Sequence, residues 1–371
     1  MLKRIECAEN ENIRVHGRTA PHATKAVPLL WTASAIELNV TGTELWLEYE
    51  CIYNGAEAYL RVEIDGADML RFMLEEGIHK VCLMRGFEPQ MVKNICIYRE
   101  SQASETIVNA IAVYSDGELL CVPEKRLMIE FLGDSVTSGE GLLGAKQMMT
   151  WIPCIFGTKD NYALLTAKRM DADWSIVSQS GWGIYCSWDN NIHHNIPEIY
   201  EYVCAAAKAP EQISCGSQER YDFSKRKTDF TVVNLGANDC GAFNNAQWVD
   251  EDGTVYKQRL DDAGYPYEQD AARVTESVRR FCTMIRKNNP ETIILWCYNM
   301  LGDMLEDAIV RGVNQYIEYS GDDRVYLLEL PQVDESMNGS RVHPGPPAHR
   351  LYSELITNKL NEIADGRKMN F

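Results

Sequence analysis

Along the first third of the chain apolar and polar residues alternate with period two. In "LRVEIDG" Leu60, Val62 and Ile64 fall on one face and Arg61, Glu63 and Asp65 on the other, the pattern of a strand with one buried side. "ELWLEYECIY", "HKVCLM", "KNICIYRE" and "TIVNAIAVYSDGELL" are similar, and Asp65-Gly66, Arg85-Gly86 and Asp116-Gly117 punctuate the run as turns. No amphipathic helix interrupts residues 12–122. Many short strands joined by turns predict an all-β antiparallel sandwich of the jelly-roll kind.

After "VPEKR" the pattern changes. Continuous apolar runs at 127–132, 174–178, 230–236, 292–298 and 325–330 read as fully buried strands. Between them lie helical stretches, the clearest at 271–287, where Val274, Val278, Phe281 and Ile285 share one stripe and "NNP" ends it. Strands alternating with helices predict an α/β domain, a parallel sheet with a helical layer on each face. The change of pattern sets one boundary near Pro123, with a β-sandwich module over 1–123 and the three-layer α/β domain over 124–371.

The remaining bulk properties narrow the partners. At 371 residues, 45% hydrophobic and 24% charged, the chain has the material for two globular cores. Acids outnumber bases by 54 to 36, for a net charge of -18. That balance argues against nucleic acid, which is bound through lysine and arginine. No stretch approaches the ~18 apolar residues of a membrane helix, and "MLKRIECAENEN" turns acidic where a secretory leader needs an apolar core. The expectation is a cytoplasmic protein without a membrane partner. Twelve scattered cysteines with no C-x-x-C pair, several inside apolar runs, suit reduced buried thiols better than disulfides or structural zinc.

Candidate chemistry sits where the apolar runs stop. "IEFLGDSVTSGEG" breaks on Gly133 and delivers Ser135; "VSQSGWG" supplies Gly181 and Gly183; "LGAND" supplies Asn238 and Asp239. "SRVHPGPPAH" sets His343 just ahead of a helix starting at Pro346 or Pro347. In an open α/β sheet such strand ends converge on one edge. Acyl transfer needs a hydroxyl, a base to take its proton, and donors aimed at the developing oxyanion, and all three are present. Asp189, His193 and His194 gather in "WDNNIHH", but adjacent side chains diverge, so no metal site is expected there. "GDSVTSGEG" lacks the Gly-Lys-Ser/Thr of a phosphate loop, and Thr137 stands where the G-x-S-x-G elbow requires glycine.

Taken together, "GDSVTSGEG", "SGWG", "GAND" and "HPGPPAH" resemble the blocks of SGNH (GDSL-type) hydrolases over the stretch from about Arg126 to the C-terminus. With the preceding sandwich, the chain resembles the two-domain carbohydrate esterases of family 2. The resemblance implies Ser135 as nucleophile and His343 as general base. It implies an oxyanion hole of the Ser135 N–H, the Gly183 N–H and the Asn238 side-chain amide, with Gly181 two residues away in the same turn. The implied activity is removal of acyl groups, acetyl foremost, from carbohydrate hydroxyls through an acyl-serine, on a small-molecule or oligosaccharide ester and with no metal or organic cofactor. The usual Asp-x-x-His block is broken, because Ser340 stands three residues before His343. A Ser-His dyad with a backbone carbonyl orienting the imidazole is therefore expected, and Asp334 is the alternative acid. Trp182 and Trp296 are candidate sugar contacts, with Tyr185 and Trp188 nearby. Two alternatives stay open: an SGNH lipase or thioesterase for longer acyl chains, with 141–157 the candidate lid, and a non-catalytic carbohydrate-binding protein.

Overall fold

The alternating first third becomes two antiparallel sheets around one apolar core. The computed structural model describes residues 1–8, 10–102 and 104–369. One sheet runs Lys3–Glu6, Ile107–Ser115, Glu44–Ile52 and Gly77–Arg85, with Val27–Pro28 beside Ile107–Ser115. The other runs Leu119–Leu120, Ala35–Val40, Lys93–Arg99, Tyr59–Ile64 and Ala67–Met73, with Ile13–His16 on Ala35–Val40. Along Glu44–Ile52, Leu45, Leu47, Tyr49 and Cys51 turn inward while Glu44, Trp46, Glu48 and Glu50 stay partly exposed. They meet Ile36, Leu38, Leu60, Val62, Ile95 and Ile97 in a single cluster.

On Tyr59–Ile64 the polar face is buried as well. Arg61 Nε donates to Thr158 Oγ1 at 2.8 Å, and its guanidinium pairs with Glu63 and, at 3.0 Å, with Asp68. It also lies 4.1 Å from the centroid of the Tyr98 ring. Thr158 belongs to a later segment, because this unit comprises Met1–Lys125, Met148–Lys159 and Tyr202–Tyr221. The last segment is tied in by Trp31, whose Nε1 donates to the Val203 carbonyl at 2.8 Å. A single boundary near Pro123 does not convey these two returns, since polar contacts of this kind leave no periodic signal.

The second unit comprises Arg126–Gln147, Asp160–Glu201 and Asp222–Phe371. Its sheet is built from β1 (Leu127–Gly133), β2 (Ala172–Ser178), β3 (Phe230–Asn234), β4 (Ile293–Tyr298) and β5 (Val325–Glu329). The order is β2-β1-β3-β4-β5 and every pairing is parallel. β2 lies on one side of β1 and β3 on the other, so the order reverses at β1, which opens a crevice at the strands' carboxyl ends. Helix Glu268–Asn288 buries Val274, Val278, Phe281 and Ile285, the stripe its spacing predicts. It packs against helix Glu306–Ser320 at Gly312, where a Cβ would lie 2.6 Å from the Thr275 carbonyl. All twelve cysteines are free thiols, seven of them buried. No helix among the described residues is long and apolar enough to cross a membrane.

Arg61 compensates buried carboxylates, and removing one partner of a buried pair costs about 3–5 kcal/mol. Arg61→Ala is therefore expected to lower the free energy of unfolding by an amount of that order and to move the denaturant midpoint down accordingly, measured by equilibrium urea unfolding.

Candidate active site

β1 stops at Gly133 because the chain folds back over it. A Cβ there would lie 1.9 Å from Thr137 Oγ1 and 2.9 Å from the Asn234 carbonyl. The turn enters a single helical turn, Ser135–Ser138, capped by Asp134 Oδ1, which accepts the Val136 N–H at 3.1 Å. Ser135 occupies the first helical position, where a backbone N–H has no intrahelical acceptor. Thr137 Oγ1, 2.8 Å from the Tyr162 hydroxyl, anchors the turn from below.

His343 arrives from the loop before helix Pro346–Gly366, and its Nε2 lies 3.0 Å from Ser135 Oγ. Its Nδ1 lies 3.0 Å from the Arg341 carbonyl. A carbonyl can only accept, so Nδ1 carries the proton and the Nε2 lone pair faces the serine hydroxyl. Asp334 takes no part: it is exposed and caps Glu335–Met337, accepting the Ser336 N–H at 2.7 Å, and these Ser336 donors hold its carboxyl below the usual range. Ser340, in the position of the usual acid, is buried with its hydroxyl donating to the Leu143 carbonyl at 2.8 Å and its N–H to the Gly141 carbonyl at 3.1 Å. An aspartate there would set a carboxylate against a carbonyl. Gly141 is glycine because the His343 loop lies directly on it, 2.5 Å from a Cβ placed there to His343 Cβ.

The glycine turn after β2 is organised from β3. The buried Asp239 carboxylate accepts the N–H groups of Ile184, Tyr185 and Cys186 at 2.7, 2.8 and 3.2 Å. Gly183 lies against that carboxylate, for a Cβ would sit 2.2 Å from Asp239 Oδ2. Gly183 is also bridged in parallel to Asn195, its carbonyl accepting the Ile196 N–H at 3.0 Å. Gly181, at φ +82°, lies two residues earlier in the same turn with the indole of Trp188 bordering it. Asn238 Nδ2 donates to the Trp182 carbonyl at 3.0 Å and to Asp134 Oδ2 at 3.3 Å. Burial pushes the Asp239 carboxyl up to about 6 against its three donors. Burial, with the charges of Asp239 and Glu140 adding to it, pushes Asp134 up to about 7.

The candidate sugar contacts separate. Trp296 is fully buried in β4, edge-on to Phe281 at 6.2 Å; a continuous apolar strand buries both of its faces. Trp182 is half-buried and stacks on His194 at 4.9 Å, and Trp188 is exposed. His193 instead meets Trp248 edge-on, so the two histidines face different rings. Among the described residues no group of three histidine, cysteine, aspartate or glutamate side chains could hold a metal. Two participants escaped the sequence reading. Glu140 lies within "GDSVTSGEG" and Arg341 within "SRVH", and both contact the His343 loop; the only signal was a carboxylate among small residues.

The strand order and the serine-imidazole geometry are those of a serine hydrolase of the GDSL kind. An acetyl xylan esterase, Est2A, from the rumen bacterium Butyrivibrio proteoclasticus is 37% identical with a TM-score of 0.95, over 98% of this chain and 99% of that one. A family two carbohydrate esterase from Clostridium thermocellum, in complex with cellohexaose, shares the fold at a TM-score of 0.79 and 24% identity over 95% of this chain and 99% of that one. The cellulase/esterase CelE of Acetivibrio thermocellus is 26% identical over 94% of this chain, which spans 39% of that protein's length. No protein-family model matches the chain. The chain belongs to carbohydrate esterase family 2.

The native Asp239 carboxyl, near 6, holds its proton more tightly than the ordinary value of 3.8 allows in the unfolded chain. Its contribution to stability is therefore fully present below about 3.8 and is lost as pH rises through about 6. Thermal melts between pH 4 and 7 are expected to show a smaller decline for Asp239→Asn than for the wild type. The same variant, which keeps one accepting oxygen and turns its NH2 group toward at least one of the three backbone donors, is expected to lose at least about tenfold in kcat, measured on an aryl acetate.

Proposed function

We propose that the chain is a serine esterase that removes acetyl groups from carbohydrate hydroxyls. The observation that carries this reading is the 3.0 Å approach of His343 Nε2 to Ser135 Oγ with the other ring nitrogen on a carbonyl. In the proposed cycle His343 takes the Ser135 proton as Oγ attacks the ester carbonyl, and the imidazolium returns it to the leaving sugar hydroxyl. Water then enters and attacks the acyl-serine carbonyl as His343 takes one of its protons; the bond between the acyl carbon and Ser135 Oγ breaks, that proton goes back to Ser135 Oγ, and acetic acid leaves. The tetrahedral oxyanion is held by the Ser135 N–H, the Asn238 amide and a turn glycine. For that glycine we read Gly181 in place of Gly183, because Gly183 is bridged to Asn195 and packed against the Asp239 carboxylate.

The activities of relatives support the acetyl-sugar reading: Est2A is an acetyl xylan esterase, and a Cellvibrio japonicus relative, 22% identical over 66% of this chain and 58% of that one, is an acetylxylan esterase and glucomannan deacetylase. Segment Met148–Lys159, most of the candidate lid, belongs to the first unit and there supplies Thr158 to Arg61. We also read the first unit as jelly-roll-like and the second as three-layered, a reading supported by two antiparallel sheets in one and an all-parallel sheet with helices in the other.

Ser135→Ala is expected to abolish hydrolysis of acetylated xylo-oligosaccharides and labelling by a fluorophosphonate; hydrolysis that survives it removes the mechanism. On p-nitrophenyl esters, acetate is expected to be turned over faster than octanoate, and a clear preference for octanoate would replace the deacetylase with a long-chain esterase. Asn238→Ala is expected to lower kcat by about 10²–10³, read on the acetyl ester.

A further inference from the structure

A dyad without an acid leaves a mechanical question: what keeps the Arg341 carbonyl in front of His343? The backbone there is costly. Arg341 and Val342 both lie in the left-handed region, at φ 55° and 59°, and for a β-branched residue such as Val342 that conformation is an outlier. Strain of this sort persists only where the surroundings over-determine it. Val342 is exposed, so its own side chain does not hold the turn.

The strongest side-chain restraint comes from Glu140, a carboxylate only 2% exposed. Its Oε1 accepts from Arg341 Nε at 2.6 Å, and Ser180 Oγ donates to its Oε2. Its backbone N–H donates to the Ser135 carbonyl at 2.9 Å. One residue thus ties the nucleophile's turn, the "SQSGWG" turn and the histidine loop together. Glu140 Oε1 also lies 3.7 Å from His343 Nε2, farther than the 2.6 Å to Arg341 Nε.

We propose that the Glu140–Arg341 ion pair is the positioning device that stands in for the missing acid of the triad. Arg341 is held by its side chain so that its carbonyl meets Nδ1–H; the imidazole is then locked with Nε2 toward Ser135. Neither residue touches the substrate's reacting atoms. The inference rests on the Ser135–His343 esterase reading and adds to it the origin of the histidine's orientation. A displacement of the ring by about 1 Å is enough to cost on the order of 10²-fold in rate.

The test uses the full chain and two rates, kcat for an acetylated xylo-oligosaccharide and the second-order labelling of Ser135 by a fluorophosphonate. Arg341→Ala and Glu140→Ala are each expected to lower both rates by about 10- to 100-fold, with KM changed less than about threefold. Glu140→Ala/Arg341→Ala is expected to be no slower than the worse single variant, as for two groups that act through one contact. Arg341→Lys, which keeps a charge for Glu140, is expected to recover part of the loss. Rates within about threefold of wild type in the single variants overturn the proposal, as does a double variant whose losses multiply. If Glu140→Ala fails to fold, Arg341→Ala and Arg341→Lys carry the comparison, since the Arg341 side chain is 30% exposed and its truncation leaves no large cavity. Ser135→Ala is the separate control: activity that survives it overturns the esterase reading itself, whereas unaltered Arg341 variants beside an inactive Ser135→Ala overturn only the positioning role.

Discussion

One hydrogen bond organises the site: Nδ1–H of His343 donating to the Arg341 carbonyl at 3.0 Å. It selects the tautomer, and the tautomer decides that Nε2 meets Ser135 as an acceptor. A carbonyl has no charge to titrate, so no acid bonded to Nδ1 has to be ionised for this orientation. It depends instead on backbone geometry. That requirement explains why the loop carries left-handed residues, why Ser340 is fastened to Leu143, and why Gly141 leaves room for the His343 Cβ.

The same site is built around three buried carboxylates, Asp134, Glu140 and Asp239, each satisfied by donors from a different loop. Asp134 caps the nucleophile's turn and accepts from Asn238; Asp239 gathers three N–H groups of the glycine turn; Glu140 holds Arg341. Buried polar groups of this kind are costly unless paired, so their partners are fixed in place. The loops that carry them are therefore held in place, because their residues cannot relax without leaving a buried polar group unpaired. Gly183 shows the consequence at atomic scale: it is glycine to make room for Asp239.

Much of the framework was legible in the hydrophobic pattern. The apolar runs at 127–132, 174–178, 230–236, 292–298 and 325–330 correspond to β1 through β5 within two residues at each end. The stripe of Val274, Val278, Phe281 and Ile285 is buried. Periodicity reports which face is apolar, and burial of that face is what it can foretell. It is silent about which polar face will also be covered. Arg61 and Glu63 alternate correctly with Leu60 and Val62, yet all four are buried because Thr158, nearly a hundred residues on, comes back to Arg61.

By itself the sequence determined the order of elements, the two kinds of sheet, and the short blocks that carry Ser135, Asn238 and His343, because each is a local property of residue type and spacing. Only the tertiary structure decided which carbonyl orients the imidazole, which turn glycine lies against Asp239, that Trp296 is core, and that Glu140 reaches Arg341. Those outcomes depend on distances of a few ångströms between loops up to two hundred residues apart. Strand order brings such loops to one edge, and no pattern within a single segment encodes the separation.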